Sequence, residues 1–343
     1  MTTDQVTAVP TTPTPTTFAE LVLPDEVRDR LGAALLALPD PTPDVDRSLA
    51  RLRQLLAGLP LDQLQTLLDF GRHADTPGVL LVRNLPLDPV LPPTPVDGGP
   101  SREKTTFVAE GVLLGLSQLL GEPVGFTTEK NGQLIHDVVP VASGSTTQTN
   151  QSSGVFLNFH NDIVHDQTGR YDVSNPDFLV LLCLRPDAAG EAATGYADAR
   201  DLCRRLDPAI VQTLRTRQFR LNAPGSYVRD AGGGTEILSD PVPIISGPPR
   251  YPEIAMSANG VFGLTAAADR ALEEVQSACR DVAHEVRLEP GTALLINNRK
   301  GLHARSRFAA RHDGTDRWLQ RTYLRRNLWD LRHRQQPDDR RVH

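Results

Sequence analysis

The sequence predicts an α+β protein, mostly β, in which a sandwich or barrel of short strands carries flanking helices. Before residue 122, apolar residues recur mainly at helical spacing, whereas the later part consists largely of short apolar runs separated by turn residues. One late stretch, at 266–282, returns to helical spacing. A jelly roll is one architecture that hides the edges of so many short strands.

The N-terminal part is predicted to be a tail followed by helices. Residues 1–17 are rich in Thr and Pro, a composition typical of disordered segments. Leucine and valine then recur on one face of three successive stretches, the first of which begins behind Pro24, and a fourth, strongly apolar stretch ends at Gly121. The helices predicted here are 25–38, 45–59, 61–68 and 107–120.

Short apolar runs bounded by turn residues indicate the strands. The first precedes a Pro-rich loop at 85–100, and the others follow residue 122. Pro290 and Gly291 are suited to a tight turn between two of them. The predicted strands are 78–83, 134–141, 155–159, 178–184, 219–222, 242–245, 285–288, 293–297, 301–305 and 318–325.

We expect a single domain at 18–343, with a largely helical part at 18–121 and a jelly-roll core at 122–330. Three consecutive glycines in the stretch 228–240 predict a mobile surface loop that can serve as a lid. Its acidic residues, among them Asp240, are candidates to contact a cationic substrate. Acids in a loop are, however, more often simply solvated.

Composition argues against several classes of protein. The net charge of −6 gives no electrostatic basis for binding nucleic acid. No apolar run approaches the roughly eighteen residues of a membrane span, and no secretory signal is expected. The three cysteines are scattered and lack metal-ligand spacing, which favours buried free thiols in a reducing cytoplasm. The expected partner is therefore a small molecule, with neither nucleic acid nor membrane involved.

The pair His160 and Asp162 carries the first chemical signal. The two residues lie at i and i+2 at the end of a predicted strand, where both side chains point to the same face. His303, on another predicted strand, can complete the set. Two imidazoles and one carboxylate, with no cysteine, suit iron(II) and leave coordination positions open. Polar residues at the end of a strand are the alternative.

Arg317 carries the second signal, fourteen residues after His303. A guanidinium inside a barrel requires an anionic partner because an unpaired buried charge is unfavourable. A metal-bound keto acid with a distal carboxylate can pair with it in bidentate fashion. A salt bridge to Asp313, Asp316 or another acid of the protein is the alternative.

These motifs together resemble a known family. The stretches 294–306 and 313–321, with 121–125, 134–140 and 159–162 upstream, strongly resemble the clavaminate synthase-like branch of the TauD-type iron(II)/2-oxoglutarate dioxygenases. The resemblance covers roughly residues 75–330. It implies a distorted double-stranded β-helix, or jelly roll, with iron(II) as metal, 2-oxoglutarate as cosubstrate and O2 as oxidant.

The resemblance also implies roles for individual residues. The iron ligands would be His160, Asp162 and His303, and Arg317 would bind the far carboxylate of 2-oxoglutarate with help from the hydroxyl of Thr194. An arginine four residues further on, Arg321, would bind the substrate carboxylate, although a surface position on a strand edge is the alternative.

Three further residues are candidates for substrate contact. Asn161 stands where the family often has threonine, and His136 lies near the proposed site, as does Asp240 if the loop closes. A structural polar role is the alternative for His136. The aspartate at 162 argues against halogenation, because halogenases of this superfamily have Gly or Ala at that position.

The resemblance thus predicts hydroxylation of an unactivated carbon of a free amino acid or similar small molecule, in natural-product biosynthesis. Desaturation or oxidative cyclisation by the same oxidant is the alternative outcome. A non-catalytic jelly-roll ligand-binding protein and a hydrolase that uses another divalent metal are the alternatives from other classes.

Overall fold

The protein is built from strands and helices in about equal measure. A computed structural model describes residues 17–127, 129–144, 152–162, 175–222, 238–258, 260–332 and 340–342. The predicted tail lies outside these residues except for Thr17, and so does the predicted 228–240 loop except for its last three residues.

Four helices form a layer on one side of the molecule. They are α1 (Asp25–Leu36), α2 (Val45–Leu56), α3 (Leu61–Arg72) and α4 (Val108–Leu120). Prolines precede α1 and α3, and the side chain of Asp44 accepts a hydrogen bond from the backbone of Arg47 at the start of α2. Every residue of α4 is buried because this helix lies between the other three helices and the larger sheet. The four predicted helices are confirmed, with ends shifted by at most four residues.

The larger sheet has eight strands among the described residues, in the order β1-β2-β13-β6-β15-β3-β16, with β4 paired to β15. Its strands are β1 (Phe18–Val22), β2 (Val79–Arg83), β3 (Glu122–Phe126), β4 (His136–Val138), β6 (Phe178–Arg185), β13 (Thr292–Asn297), β15 (Trp318–Arg325) and β16 (Arg341–Val342). Alternate residues face opposite sides. Leu182 and Leu295 pack against the helices, whereas Leu181 and Leu294 face the interior of the molecule.

The smaller sheet has the order β12-β7-β14-β5. Its strands are β5 (Leu157–His160), β7 (Thr194–Asp198), β12 (His284–Val286) and β14 (Gly301–Arg305). A second helical layer covers its outer face through Phe159, Leu302 and Ala304. The helices of that layer are α5 (Ala199–Arg205), α6 (Pro208–Leu214) and α7 (Ala266–Val282), the last as predicted. The residues that alternate with these three along their strands therefore point towards the larger sheet.

Four short strands complete the described part, paired as β8 with β11 and β9 with β10. They are β8 (Phe219–Leu221), β9 (Ile245–Ser246), β10 (Glu253–Ile254) and β11 (Val261–Gly263). The predicted strand at 242–245 is wrong in its bounds, because Val242 forms only an isolated bridge to Phe219. Among the described residues, no helix has both the length and the apolar character needed to cross a membrane.

Candidate metal centre

The two histidines and the aspartate of the predicted ligand set meet between the two sheets. His160 ends β5 and lies directly opposite His303 of β14, so that the two imidazole centroids are 4.4 Å apart. The Nε2 atoms of His160 and His303 each lie 3.7 Å from an oxygen of Asp162. One ligand atom of each residue lies within 4.8 Å of the other two. This separation allows all three side chains to bind a single metal ion.

The hydrogen bonds and pKa shifts of the cluster favour the binding of a metal cation. The Nδ1 atom of His160 lies 2.6 Å from the carbonyl oxygen of Asn158, so Nδ1–H donates to it and Nε2 keeps its lone pair for a metal. Burial, together with the His160 ring, lowers the pKa of His303 to about 3, which keeps that ring neutral at pH 7. Burial opposes ionisation of Asp162, but Arg321 and the two histidines hold its pKa well below its usual range.

The donor set fits iron(II). It comprises two imidazoles and one carboxylate, which is the ligand set found in non-haem iron oxygenases. The Nδ1 atom of His303 is buried without a hydrogen-bond partner among the described residues. The His160 ring is therefore oriented by the protein alone, whereas a bound metal would contribute to orienting His303.

Asn161 holds the ligand strand in place. Its Oδ1 accepts a hydrogen bond from the backbone of Met256, and its Nδ2 donates to the carbonyl oxygens of Asn298 and Gly301. The Asn298 side chain in turn bonds to the backbone of Asp162. Both amide hydrogens of Asn161 are thus engaged within the protein. These contacts favour a structural role over the predicted substrate contact.

Arg317 lies just before β15, buried and facing the smaller sheet. Its Nη2 is 3.5 Å from Oγ1 of Thr194 on β7. This is the hydroxyl that the resemblance predicted to lie beside Arg317. No carboxylate of the described residues lies within salt-bridge distance of it. The alternative partners are occupied elsewhere, since Asp313 accepts from Thr315 and Asp316 accepts from the backbone of residues 311 and 312. Burial lowers the pKa of Arg317, and the nearby Cys183 and Asp187 only partly oppose this effect.

Arg321 points inward beside the metal cluster and is only 4% exposed, so the alternative of a surface position does not hold. Its Nη1 lies 3.0 Å from Oδ2 of Asp162, and its Nη2 lies 2.6 Å from Oε1 of Glu129. The guanidinium also stacks on the Tyr323 ring, 4.4 Å from its centroid. Arg317 and Arg321 face the same side because they lie four residues apart in extended backbone.

Glu129 also lies at the candidate site, although no sequence pattern predicted it. Its second oxygen accepts a hydrogen bond of 3.0 Å from the hydroxyl of Tyr323, so the carboxylate is held by two side chains of β15. Lys130, Asn131 and Gly132 follow it with positive φ values of 50°, 55° and 75°. The Asn-Gly pair signals a tight turn, but no local pattern marks the glutamate before it.

The other two predicted substrate residues lie away from the centre of the cluster. His136 is buried behind Arg321, where its Nε2 donates to the carbonyl of Gln133 and its Nδ1 accepts from Nη2 of Arg321 at 3.2 Å. Burial lowers the pKa of His136 to about 4, which leaves it neutral and able to accept that bond. Asp240 is exposed, and no hydrogen bond or ion pair joins its carboxylate to a described residue of the site. The role of Asp240 stays a prediction.

Comparison with known proteins gives a consistent set of relatives. The family model described as "Taurine catabolism dioxygenase TauD, TfdA family" matches residues 31–323. The chain is 35% identical to L-asparagine oxygenase of Streptomyces coelicolor over 92% of this chain and 88% of that protein. It is 30% identical to clavaminate synthase 2 of Streptomyces clavuligerus, over 87% and 90%. The solved structure of an asparagine oxygenase with Fe(II), 2S,3S-3-hydroxyasparagine and succinate matches with a TM-score of 0.83 and 31% identity, over 94% of this chain and 98% of that one.

Proposed function

The chain belongs to the TauD, TfdA family of dioxygenases, and from this premise we propose that it hydroxylates an unactivated carbon of a free amino acid or a closely similar small molecule. It is an iron(II)/2-oxoglutarate-dependent dioxygenase, as the sequence resemblance predicted. Relatives that include a lysine 3-hydroxylase and an enduracididine β-hydroxylase support natural-product biosynthesis as the context. The observation that carries the proposal is the candidate metal cluster, which is flanked by the buried guanidinium of Arg317 and by the guanidinium–carboxylate pair of Arg321 and Glu129.

We assign iron(II) to His160, Asp162 and His303. With 2-oxoglutarate and O2, the bound metal supplies an oxidant strong enough to remove hydrogen from carbon, while the cosubstrate becomes succinate and CO2. Arg321 holds Oδ2 of Asp162, which leaves Oδ1 on the side of the His160 ring. The chain thereby fixes the orientation of the carboxylate before a metal arrives.

We assign the distal carboxylate of 2-oxoglutarate to Arg317, with the Thr194 hydroxyl as a second donor. The guanidinium is buried and lacks an acidic partner among the described residues, and the hydroxyl is within reach of it. A carboxylate that enters here removes the penalty of the uncompensated charge. A ligand with a carboxylate therefore gains binding energy here that a neutral ligand would not gain.

The pairing of Arg321 with Glu129 supports an amino acid as substrate. A free amino acid presents a carboxylate and an ammonium group on adjacent atoms, and these two side chains present the opposite charges next to each other. We propose that Arg321 binds the α-carboxylate and Glu129 the α-amino group. His136 and Tyr323 then act as positioning residues, since each bonds to one member of the pair.

The layered fold supports a jelly-roll core. The two sheets face each other around the metal cluster, and helices cover the outer face of each. We also propose a cytoplasmic location. Cys183, Cys203 and Cys279 are all unpaired, as expected of a protein kept in reducing conditions.

The proposal is tested by measuring succinate release across a panel of free amino acids, with mass spectrometry of the products. We expect at least one amino acid to stimulate succinate release and to gain the mass of one oxygen atom. A loss of two hydrogens would identify desaturation or ring closure instead. Stimulation by none of the panel, or activity that is independent of O2 and 2-oxoglutarate, would overturn the assignment.

Replacing Glu129 by glutamine should raise the KM for the amino acid roughly thirtyfold, because a charge-assisted contact to the ammonium group is lost from a buried site. The affinity for 2-oxoglutarate should change little, because Glu129 lies on the Arg321 side of the cluster. Steady-state kinetics with each ligand varied in turn measure both effects. Glu122→Gln provides the matched control, since that carboxylate pairs with Arg53 and Arg340 at the surface. An unchanged KM for the amino acid would contradict the assignment of Glu129.

A further inference from the structure

A second buried guanidinium, that of Arg305, lies near Arg317. Arg305 ends β14, two residues after His303, and alternation along the strand turns both side chains away from the helices that Leu302 and Ala304 contact. In the ladder between β14 and β7, Arg305 is directly opposite Thr194. It therefore faces the region to which the keto acid is assigned.

The charge of Arg305 has no carboxylate partner in the part of the chain that the structure describes. No carboxylate of the described residues lies within salt-bridge distance, although the side chain is only 6% exposed. Its hydrogen bonds go to the carbonyl and hydroxyl oxygens of Ser152 and to the carbonyl of Val155, and its Nε has no acceptor. Neutral acceptors of this kind do not themselves require a charged donor. The hydrogen bonds thus account for the position of the side chain but not for its charge.

Arg305 and Arg317 also lie close enough to each other for repulsion. Both guanidinium groups contact the same Phe308 ring, whose centroid is 5.3 Å from Cζ of Arg305 and 5.9 Å from Cζ of Arg317. Two buried positive charges without a carboxylate within salt-bridge distance among the described residues are unfavourable in the ligand-free protein. A ligand with two negative charges relieves this repulsion better than a ligand with one.

We propose that Arg305 is a specificity-determining residue for the cosubstrate, acting through its charge to favour a doubly charged keto acid over a singly charged one. The inference rests on the proposed function and assigns the residue no contact with the reacting atoms. Arg317 makes the contact with the distal carboxylate. Arg305, held by Ser152 and Val155, contributes an attraction to it across the low-dielectric pocket.

The test compares 2-oxoglutarate with 2-oxopentanoate, which has the same carbon chain but a methyl group in place of the distal carboxylate. The dissociation constant of each is measured anaerobically in the iron(II)-loaded protein, from the weak visible absorption band that a bound keto acid produces. For Arg305→Gln we expect 2-oxoglutarate to bind roughly tenfold more weakly. The affinity for 2-oxopentanoate should change less than about twofold, because the lost charge has little to act on there.

Two further variants separate charge from structure. Ser152→Ala removes one hydrogen bond to Arg305 but keeps its charge, so it should affect the two keto acids equally. Arg305→Lys also keeps the charge and should retain the preference for 2-oxoglutarate even if both affinities fall. Equal weakening of the two keto acids in Arg305→Gln, or no change in either, would overturn the inference. A wild-type protein that shows no absorption band with 2-oxoglutarate would overturn the proposed function itself.

Discussion

Replacing His160 by alanine should abolish iron binding and reduce turnover to background. Only Asp162 and His303 would remain as ligands, and the lost imidazole is the one whose Nδ1–H is already fixed on the Asn158 carbonyl. Loss of outer hydrogen-bond partners alone weakens metal sites 10- to 100-fold, so loss of a ligand should weaken this one by roughly 100-fold or more. Iron content after anaerobic loading and desalting measures the effect directly.

Thermal unfolding provides a second readout that does not depend on activity. A ligand that binds only the folded state raises the melting temperature, so iron(II) should stabilise the wild-type protein but not His160→Ala. The matched control is His73→Ala, which removes an exposed imidazole whose side-chain partner is Asp69. His160→Ala protein that retained one equivalent of iron would contradict the assignment of this ligand.

Replacing Arg317 by methionine should weaken 2-oxoglutarate binding roughly 100-fold while leaving the ligand-free protein as stable as before, or more so by about 1 kcal/mol. The two effects have opposite signs because the same buried charge attracts the cosubstrate and destabilises the empty site. Anaerobic titration with 2-oxoglutarate measures the first effect, and urea unfolding of the metal-free protein measures the second.

Arg200→Met makes a contrasting control. Arg200 is also buried, but it forms a bidentate salt bridge with Asp198, through Nε and Nη2 at 2.9 Å each. Removing it leaves the Asp198 carboxylate unpaired and should lower the free energy of unfolding by about 3 kcal/mol, with no change in cosubstrate affinity. If Arg317→Met instead destabilised the empty protein and left the 2-oxoglutarate requirement intact, the carboxylate assignment would be wrong.

Sequence patterns predicted the helices well because the information for them is local. The leucine and valine stripes of α1 to α3 and the apolar run of α4 lie within single stretches of the chain. Strands depend on pairing with segments that are distant in the sequence. Two strands that no sequence pattern predicted, β7 and β1, illustrate this dependence. β7 reads Thr-Gly-Tyr-Ala-Asp, in which three of the five residues are depleted in strands, and it pairs with β12 and β14 on its two sides. β1 pairs with β2, some sixty residues further along the chain.

The candidate site shows the same difference between local and long-range information. Sequence patterns could single out His160, Asp162, His303 and Arg317 as candidates because each belongs to a short motif in a predicted strand or next to one. Glu129 could not, since its position depends on a run of left-handed backbone and on Tyr323, nearly two hundred residues away. Asn161 stands where the family often has threonine, and this difference suggested a contact with the substrate. Its actual partners, Met256, Asn298 and Gly301, come from distant loops and strands that no local pattern connects to it.

The extended backbone at the start of β15 fixes the distance between two arginines of the candidate site. It carries Arg317 and Arg321 at a separation of four residues, about 13 Å along an extended chain. The spacing between the proposed anchor of the keto acid and the proposed anchor of the substrate is therefore set by backbone geometry. β15 is hydrogen-bonded to β6 along one side and to β3 and β4 along the other, so it cannot slip without breaking three pairings. New substrates would thus have to be accommodated by changes in the surrounding loops, with this distance kept constant.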